Sequence, residues 1–232
     1  MPEIVILTGA GLSAESGLGT FRDKDGLWTR YRLEDVATPQ GFARDPARVH
    51  DFYNARRANC LNAAPNPAHF ALARLSQHLG DDVLIVTQNI DNLLERAGAR
   101  NVVHMHGELM RALCAQCGQR WDAPETMHAT DPCPLCGAAA VRPDVVWFGE
   151  FPYHMDRIAG ALADCALFVA VGTSGSVYPA AGFVQDAAMA GARTLELNLE
   201  RSEIAADFDE SRQGPASRLV PDWVDERLAA RG

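Results

Sequence analysis

The sequence predicts an α/β fold: a Rossmann-like parallel sheet with helices on both faces, joined to a smaller discontinuous domain made of a helical insertion and a four-cysteine zinc ribbon. Three observations carry this. Short runs rich in Val, Ile and Leu alternate with segments of helical spacing. Small and polar residues cluster wherever such a run ends. Two stretches, about 28–65 and 114–141, break the rhythm, and the second carries paired cysteines among Gly and Pro.

The first strand is the run at 4–7, and TGAGLSAESGLGTFR (8–22) follows it directly. There Gly9, Ala10, Gly11, Leu12, Ser13 and Ala14 fit G-x-G-x-x-G/A, in which glycines permit a tight turn and close backbone approach to a pyrophosphate at a helix N-terminus. A dehydrogenase would next show a second strand ending in an acid about twenty residues on. This chain gives FRDKDGLW (21–28) instead, which argues against hydride transfer.

Between 28 and 65 no strand signal occurs, but Asp45-Pro46 opens a helix. Asn66-Pro67 opens another, with Phe70, Leu72, Leu75 and Leu79 as its buried stripe and Gly80 as its end. Further strands are expected at 83–86, 101–103, 167–171 and 194–197, and helices at 91–97 and 179–190. The expected division is 1–27, 66–112 and 142–232 for a nucleotide-binding domain, with 28–65 and 113–141 as the two modules of the smaller one.

In an open parallel sheet the carboxyl ends of the strands face one crevice, where ligands bind. The loops there are 8–11, Thr87-Gln88-Asn89-Ile90-Asp91, His104-Met105-His106-Gly107, Gly172-Thr173-Ser174-Gly175 and Asn198-Leu199-Glu200. Asp91 suits either a helix cap or, with Asn89, the orientation of a ribose and a carboxamide. Of His104 and His106, which project to opposite sides of a continuing strand, one is expected to face the crevice as a general base.

Cys114 and Cys117, fifteen intervening residues, then Cys133 and Cys136 match the four-thiolate ribbon spacing. Such a site has no open coordination position, so the metal staples the insertion and does not catalyse. Cys60 and Cys165 are left over as buried small apolar groups.

At 232 residues, 47% hydrophobic and 22% charged, the chain is long enough to bury a core. A net charge of -9 without any Lys/Arg run excludes a nucleic-acid partner. No apolar stretch reaches membrane-spanning length and no basic leader precedes the first strand, so the expected address is the cytoplasm, with no membrane partner, and the expected state a monomer.

Taken in order across nearly the whole chain, 9–17 with Thr20, Phe21 and Arg22, then 87–91, His106-Gly107, the paired cysteines, VWFGE (146–150) and 172–174 resemble the sirtuin family, bacterial type. That resemblance implies an NAD-dependent protein lysine deacylase with a structural zinc ion, acyl-lysine proteins as substrates, and NAD consumed as a co-substrate. It implies that Gly9, Ala10, Gly11, Leu12, Ser13, Glu15, Ser16, Thr20, Phe21, Arg22, Trp28, Gln88, Asn89, Ile90, Asp91, Gly172, Thr173, Ser174, Asn198, Leu199, Glu200 and Ala216 contact NAD. It further implies that Val146, Phe148, Gly149 and Glu150 pair with the substrate peptide, and that His106 acts on a ribose hydroxyl as the acyl oxygen displaces nicotinamide, leading to O-acyl-ADP-ribose and free lysine. Gly19 stands where many family members have proline.

Tyr53 and Arg56 are three apart on the helix after Asp45-Pro46, hence on one face, which on its own suits a solvated surface. With Ala37 they resemble the class III subgroup, whose members favour succinyl- and malonyl-lysine. A guanidinium and a phenol match a carboxylate, and a small residue at 37 leaves room for it. The expected activity is therefore desuccinylation and demalonylation, with deacetylation retained. Mono-ADP-ribosyl transfer and a non-catalytic NAD or ADP-ribose sensor are the alternatives.

Overall fold

The computed structural model describes residues 1–19 and 31–231. A run of β-branched and large aliphatic residues with no polar alternation belongs in a strand covered on both faces. β1 (Ile4–Thr8), β2 (Val83–Thr87) and β7 (Leu167–Val171) are such runs, and all five residues of each are buried. With β3 (Val102–His104), β8 (Arg193–Asn198) and β9 (Glu210–Gln213) they form a parallel sheet in the order β3-β2-β1-β7-β8-β9.

Alternate side chains feed two cores. Ile4 and Ile6 pack under α5 (Pro67–Leu79) and α9 (Ala216–Ala229) with Leu72, Leu75, Val220 and Trp223. Val5 and Leu7 face α7 (Met155–Asp164) and α8 (Phe183–Met189) with Ile158, Leu162, Phe183 and Val184. Each fully buried aliphatic or aromatic side chain contributes about 1.5–3 kcal/mol of transfer free energy, so both faces are needed to hold the central strands.

Before α5 the chain forms α1 (Ala10–Ala14), α2 (Leu33–Val36), α3 (Pro39–Arg44) and α4 (Pro46–Asn62). Asp45 accepts the Arg48 N–H and Pro46 fills the first turn of α4; Asn66 and His69 form a reciprocal capping box on α5. A second sheet, β5-β4-β6, is antiparallel and consists of β4 (Gly107–Cys114), β5 (Arg120–Asp122) and β6 (Val141–Val145). It begins before the cysteine-bearing stretch and ends after it. Helices α2 to α4 pack on it through Val36, Val49, Phe52, Tyr53, Leu109, Val145 and Trp147.

Some expectations are corrected. The strand expected at 101–103 lies at Val102–His104, because Asn101 takes a left-handed φ of 56° at its entry. The helix expected at 91–97 shrinks to α6 (Leu93–Arg96), since the Asp91 side chain accepts the Leu93 N–H ahead of it. The 179–190 helix opens as a 3-10 turn at Ala180–Gly182 before α8. Phe70, expected in the buried stripe of α5, is 53% exposed, on the opposite side of the helix from Leu72 and Leu75. The polar edge strand β9, ESRQ, has no apolar periodicity to announce it.

Candidate active site

The strand order reverses at β1, which lies between β2 and β7, so the crevice opens where Gly9 and Gly172 leave adjacent strands. The glycines there let two loops touch. Gly9 N–H donates to Val171 O at 3.0 Å and Gly11 N–H to Gly172 O at 2.8 Å. A Cβ on Gly11 would stand 2.7 Å from Gly172 Cα, and one on Gly172, whose φ is +60°, 2.5 Å from Leu12 N. Leu12 itself is fully buried in the core, so only its backbone borders the crevice.

Ser13 is the hub behind this loop. Its hydroxyl donates to Asp91 Oδ2 at 3.0 Å, and the Asn89 amide donates to Ser13 Oγ at 3.3 Å and to Gly9 O at 3.0 Å. His69 lies 3.3 Å from the same hydroxyl through Nε2. Burial lowers its pKa to about 4, so it is neutral; its Nδ1 accepts the Asn66 N–H at 3.2 Å, which leaves the proton on Nε2. Every proton then runs one way, from His69 to Ser13 to Asp91. Asp91 also caps Leu93, so the two roles open to it are compatible.

The two histidines separate. His104 binds Glu95 through Nε2 at 2.9 Å and Asn89 O through Nδ1; burial, the largest influence, opposes its charge, but Glu95, Asn89 O and Glu108 together raise its pKa. Both of its ring nitrogens face acceptors, Glu95 and Asn89 O, so neither is a free base. His106 meets the Gln88 carbonyl through Nδ1 at 3.1 Å, and a carbonyl only accepts, so Nδ1 carries the proton and Nε2 is the bare, basic nitrogen. Burial lowers the His106 pKa below 6.5, which keeps the ring neutral near pH 7. Gln88 in turn donates to Thr173 Oγ1 at 3.0 Å, joining this histidine to the β7 loop.

Tyr53 and Arg56 share a face of α4, as their spacing requires, and the guanidinium carbon lies 5.7 Å from the phenol ring centre. Burial raises the Tyr53 pKa, so the phenol stays protonated; burial lowers that of Arg56, with Tyr53 and Asp91 opposing the shift. Ala37 is buried in the same cluster, and its carbonyl accepts the Phe148 N–H at 2.9 Å. The N–H groups of Val146 and Glu150 are likewise taken, by His106 O and Trp147 O. An extended peptide would therefore meet the other backbone groups of 146–150. The Glu150 carboxylate grips Arg142 through both oxygens at 2.6 and 2.8 Å and accepts the Trp147 N–H.

Four sulfurs about 2.3 Å from one centre in a tetrahedron stand about 3.8 Å apart. The Sγ pairs Cys114–Cys136 and Cys117–Cys133 are each 3.7 Å apart, and all four atoms lie within 4.8 Å of one another. Gly118 and Gly137, with φ of 75° and 74°, close the two matching turns. The donor set and the turns fit a structural zinc ion.

A family model described as Sir2 family matches residues 9–179. The chain belongs to the Sir2 family. Among Sir2 relatives, a Caulobacter vibrioides protein named NAD-dependent protein deacylase is 56% identical over 233 residues, covering 99% of this chain and 98% of its own. One of the same name from Salmonella typhimurium is 55% identical over 230 residues, covering 98% of this chain and 84% of its own. The structure of a Sir2 homologue with NAD matches at a TM-score of 0.90 and 39% identity, covering 99% of this chain and 90% of that one. A mutant Sir2 homologue with ADP-ribose gives 0.91 at 38%, covering 98% and 92%.

Of the other expected contacts in this Sir2 chain, Thr20, Phe21, Arg22 and Trp28 lie outside the described residues. Glu15 accepts both the N–H and the hydroxyl of Ser217, tying the first loop to the start of α9 beside Ala216. Ser16 accepts from Asn66. Asn198 donates to Thr173 O at 2.8 Å, while Leu199 and Glu200 are exposed at the rim. Ser174 pairs with Ser176 at 2.7 Å, and Ile90 accepts the Leu109 N–H. Sequence reasoning read Asn66 only as a helix cap and Trp147 only as part of VWFGE, and missed His69 and Arg142. His69 had a signal, three residues after the cap Asn66, where a reciprocal cap belongs.

Proposed function

We propose that this chain is an NAD-dependent protein lysine deacylase that removes succinyl and malonyl groups, with acetyl removal retained. The observation that carries the acyl assignment is the Tyr53–Arg56 pair on one face of α4, with Tyr53 packed in one cluster with Ala37, whose carbonyl holds the 146–150 segment through the Phe148 N–H. A neutral phenol and a guanidinium are both hydrogen-bond donors toward a carboxylate, and the arginine adds charge. The names of the relatives and the NAD and ADP-ribose complexes of the homologues support NAD as co-substrate. A Sir2 structure with a deacetylated p53 peptide and 3'-O-acetyl ADP-ribose, at 26% identity and a TM-score of 0.80 over 99% of this chain and 93% of that one, supports acyl-lysine protein as the other.

In this reading the glycine loops at Gly9, Gly11 and Gly172 bring backbone to the nucleotide's phosphates, and Asn89 and Asp91 orient the sugar and the leaving carboxamide. The acyl oxygen takes the sugar carbon as nicotinamide departs. His106 Nε2, the unprotonated nitrogen of a ring locked by Gln88, then accepts a proton from a ribose hydroxyl, whose oxygen attacks the former acyl carbon. One water adds, the carbon–nitrogen bond to lysine breaks, the amine leaves with a proton, and the acyl group stays on ADP-ribose. The zinc ion held by Cys114, Cys117, Cys133 and Cys136 only stiffens the smaller domain. The test is a panel of one peptide carrying acetyl-, malonyl-, succinyl- or glutaryl-lysine, with kcat/KM measured for each. The dicarboxylic acyl groups are expected to lead; a panel led by acetyl-lysine would overturn the acyl assignment.

A further inference from the structure

Trp147 joins the 146–150 segment to the acyl end of the crevice. The residue is 2% exposed, and the Arg142 guanidinium lies 3.5 Å from its ring centre, fixed in turn by both oxygens of Glu150. The indole is thus clamped in one orientation. From there its Nε1–H donates to Tyr53 Oη at 3.0 Å. An indole N–H can only donate. The phenol oxygen therefore receives from Trp147, and its own O–H is left to turn to a partner that accepts, with the Arg56 guanidinium 5.7 Å from the phenol ring centre.

We infer that Trp147 is a positioning residue for acyl specificity: by donating to Tyr53 Oη it commits the phenol to donate its proton toward the terminal carboxylate of the acyl chain. This rests on the reading that Tyr53 and Arg56 meet that carboxylate. Without the indole N–H, the phenol oxygen loses a fixed donor and the O–H is free to rotate away. A lone pair turned toward a carboxylate repels it, whereas the methyl end of an acetyl group gives the phenol nothing to donate to. The effect therefore falls on the preference between acyl groups and, since the carboxylate is remote from the reacting carbon, on KM for the succinyl peptide more than on kcat.

The test uses the full zinc-loaded chain and the ratio of kcat/KM on succinyl-lysine to that on acetyl-lysine, measured on one preparation so that the folded fraction cancels. Trp147→Phe keeps most of the volume and removes the donor; Trp147→His loses volume but overlays its Nε2–H on the indole Nε1–H. The ratio is expected to fall about three- to tenfold in Trp147→Phe, the range of one neutral hydrogen bond, and clearly less in Trp147→His. In a Tyr53→Phe background Trp147→Phe should change the ratio no further. An unchanged ratio in Trp147→Phe, an equal fall in Trp147→His, or the same fall with and without the Tyr53 hydroxyl overturns the inference. If Arg56→Met leaves the ratio intact as well, the underlying acyl assignment fails with it; if only the Trp147 variants are silent, that assignment stands alone.

Discussion

Residue by residue, the site is decided by which atoms can donate and which can only accept. In the proposed reading His106 is the base, because Gln88 O claims the proton on Nδ1 and leaves Nε2 bare. Its pKa is lowered by burial, so the working neutral form is complete above the ordinary value of 6.5 and is lost as pH falls through the lowered one. The kcat/KM profile should thus be flat near pH 7 and decline only on the acid side, with a midpoint below 6.5; a midpoint above 6.5 would contradict the assignment. Arg56→Met should cost desuccinylation about 2–5 kcal/mol of transition-state binding, the range for breaking a desolvated charge pair, and cost deacetylation far less. Parallel losses in steady-state assays of the two peptides would remove Arg56 from the acyl site. The spacing of Tyr53 and Arg56 was readable because helical periodicity puts them together. Their link to Trp147 was not, since it joins residues 94 apart.

At the scale of elements, Gly9, Gly11 and Gly172 are required where two crevice loops meet. The G-x-G-x-x-A stretch was legible as a phosphate turn, yet Gly9 and Gly11 also admit the β7 loop, a demand set by the partner strand and absent from the hexamer. The two cysteine turns were legible in full, because ligand spacing along a chain directly encodes a tetrahedral site. The three-stranded sheet around them was not, since Gly107–Cys114 and Val141–Val145 are held by each other across the ribbon and show no period of their own. Its core is small: Ala112, Met127 and Val141 pack with Cys114 and Cys133. Removing the metal with a strong chelator should therefore lower the melting temperature and abolish activity together, and zinc should restore both. A chelated, metal-free protein that melts and turns over as before would show that the staple is dispensable.

For the whole molecule, the parallel sheet was legible because its central strands are buried on both faces and so read as unbroken aliphatic runs. The polar edge strand β9 was not legible, because an edge has water on one side and needs no apolar signature. Among the described residues no helix is long and apolar enough to cross a membrane. The crevice at the reversal of strand order gathers loops from β1, β2 and β7, and Leu18 and Ile90 of those loops pack into the cluster that holds α4, Val145 and Trp147. The most direct measurement is the stoichiometry of products from a succinyl-lysine peptide and NAD, followed by mass spectrometry: nicotinamide, O-succinyl-ADP-ribose and free-lysine peptide should appear in equal amounts, none without the acyl peptide. Free succinate with NAD left whole would contradict the account.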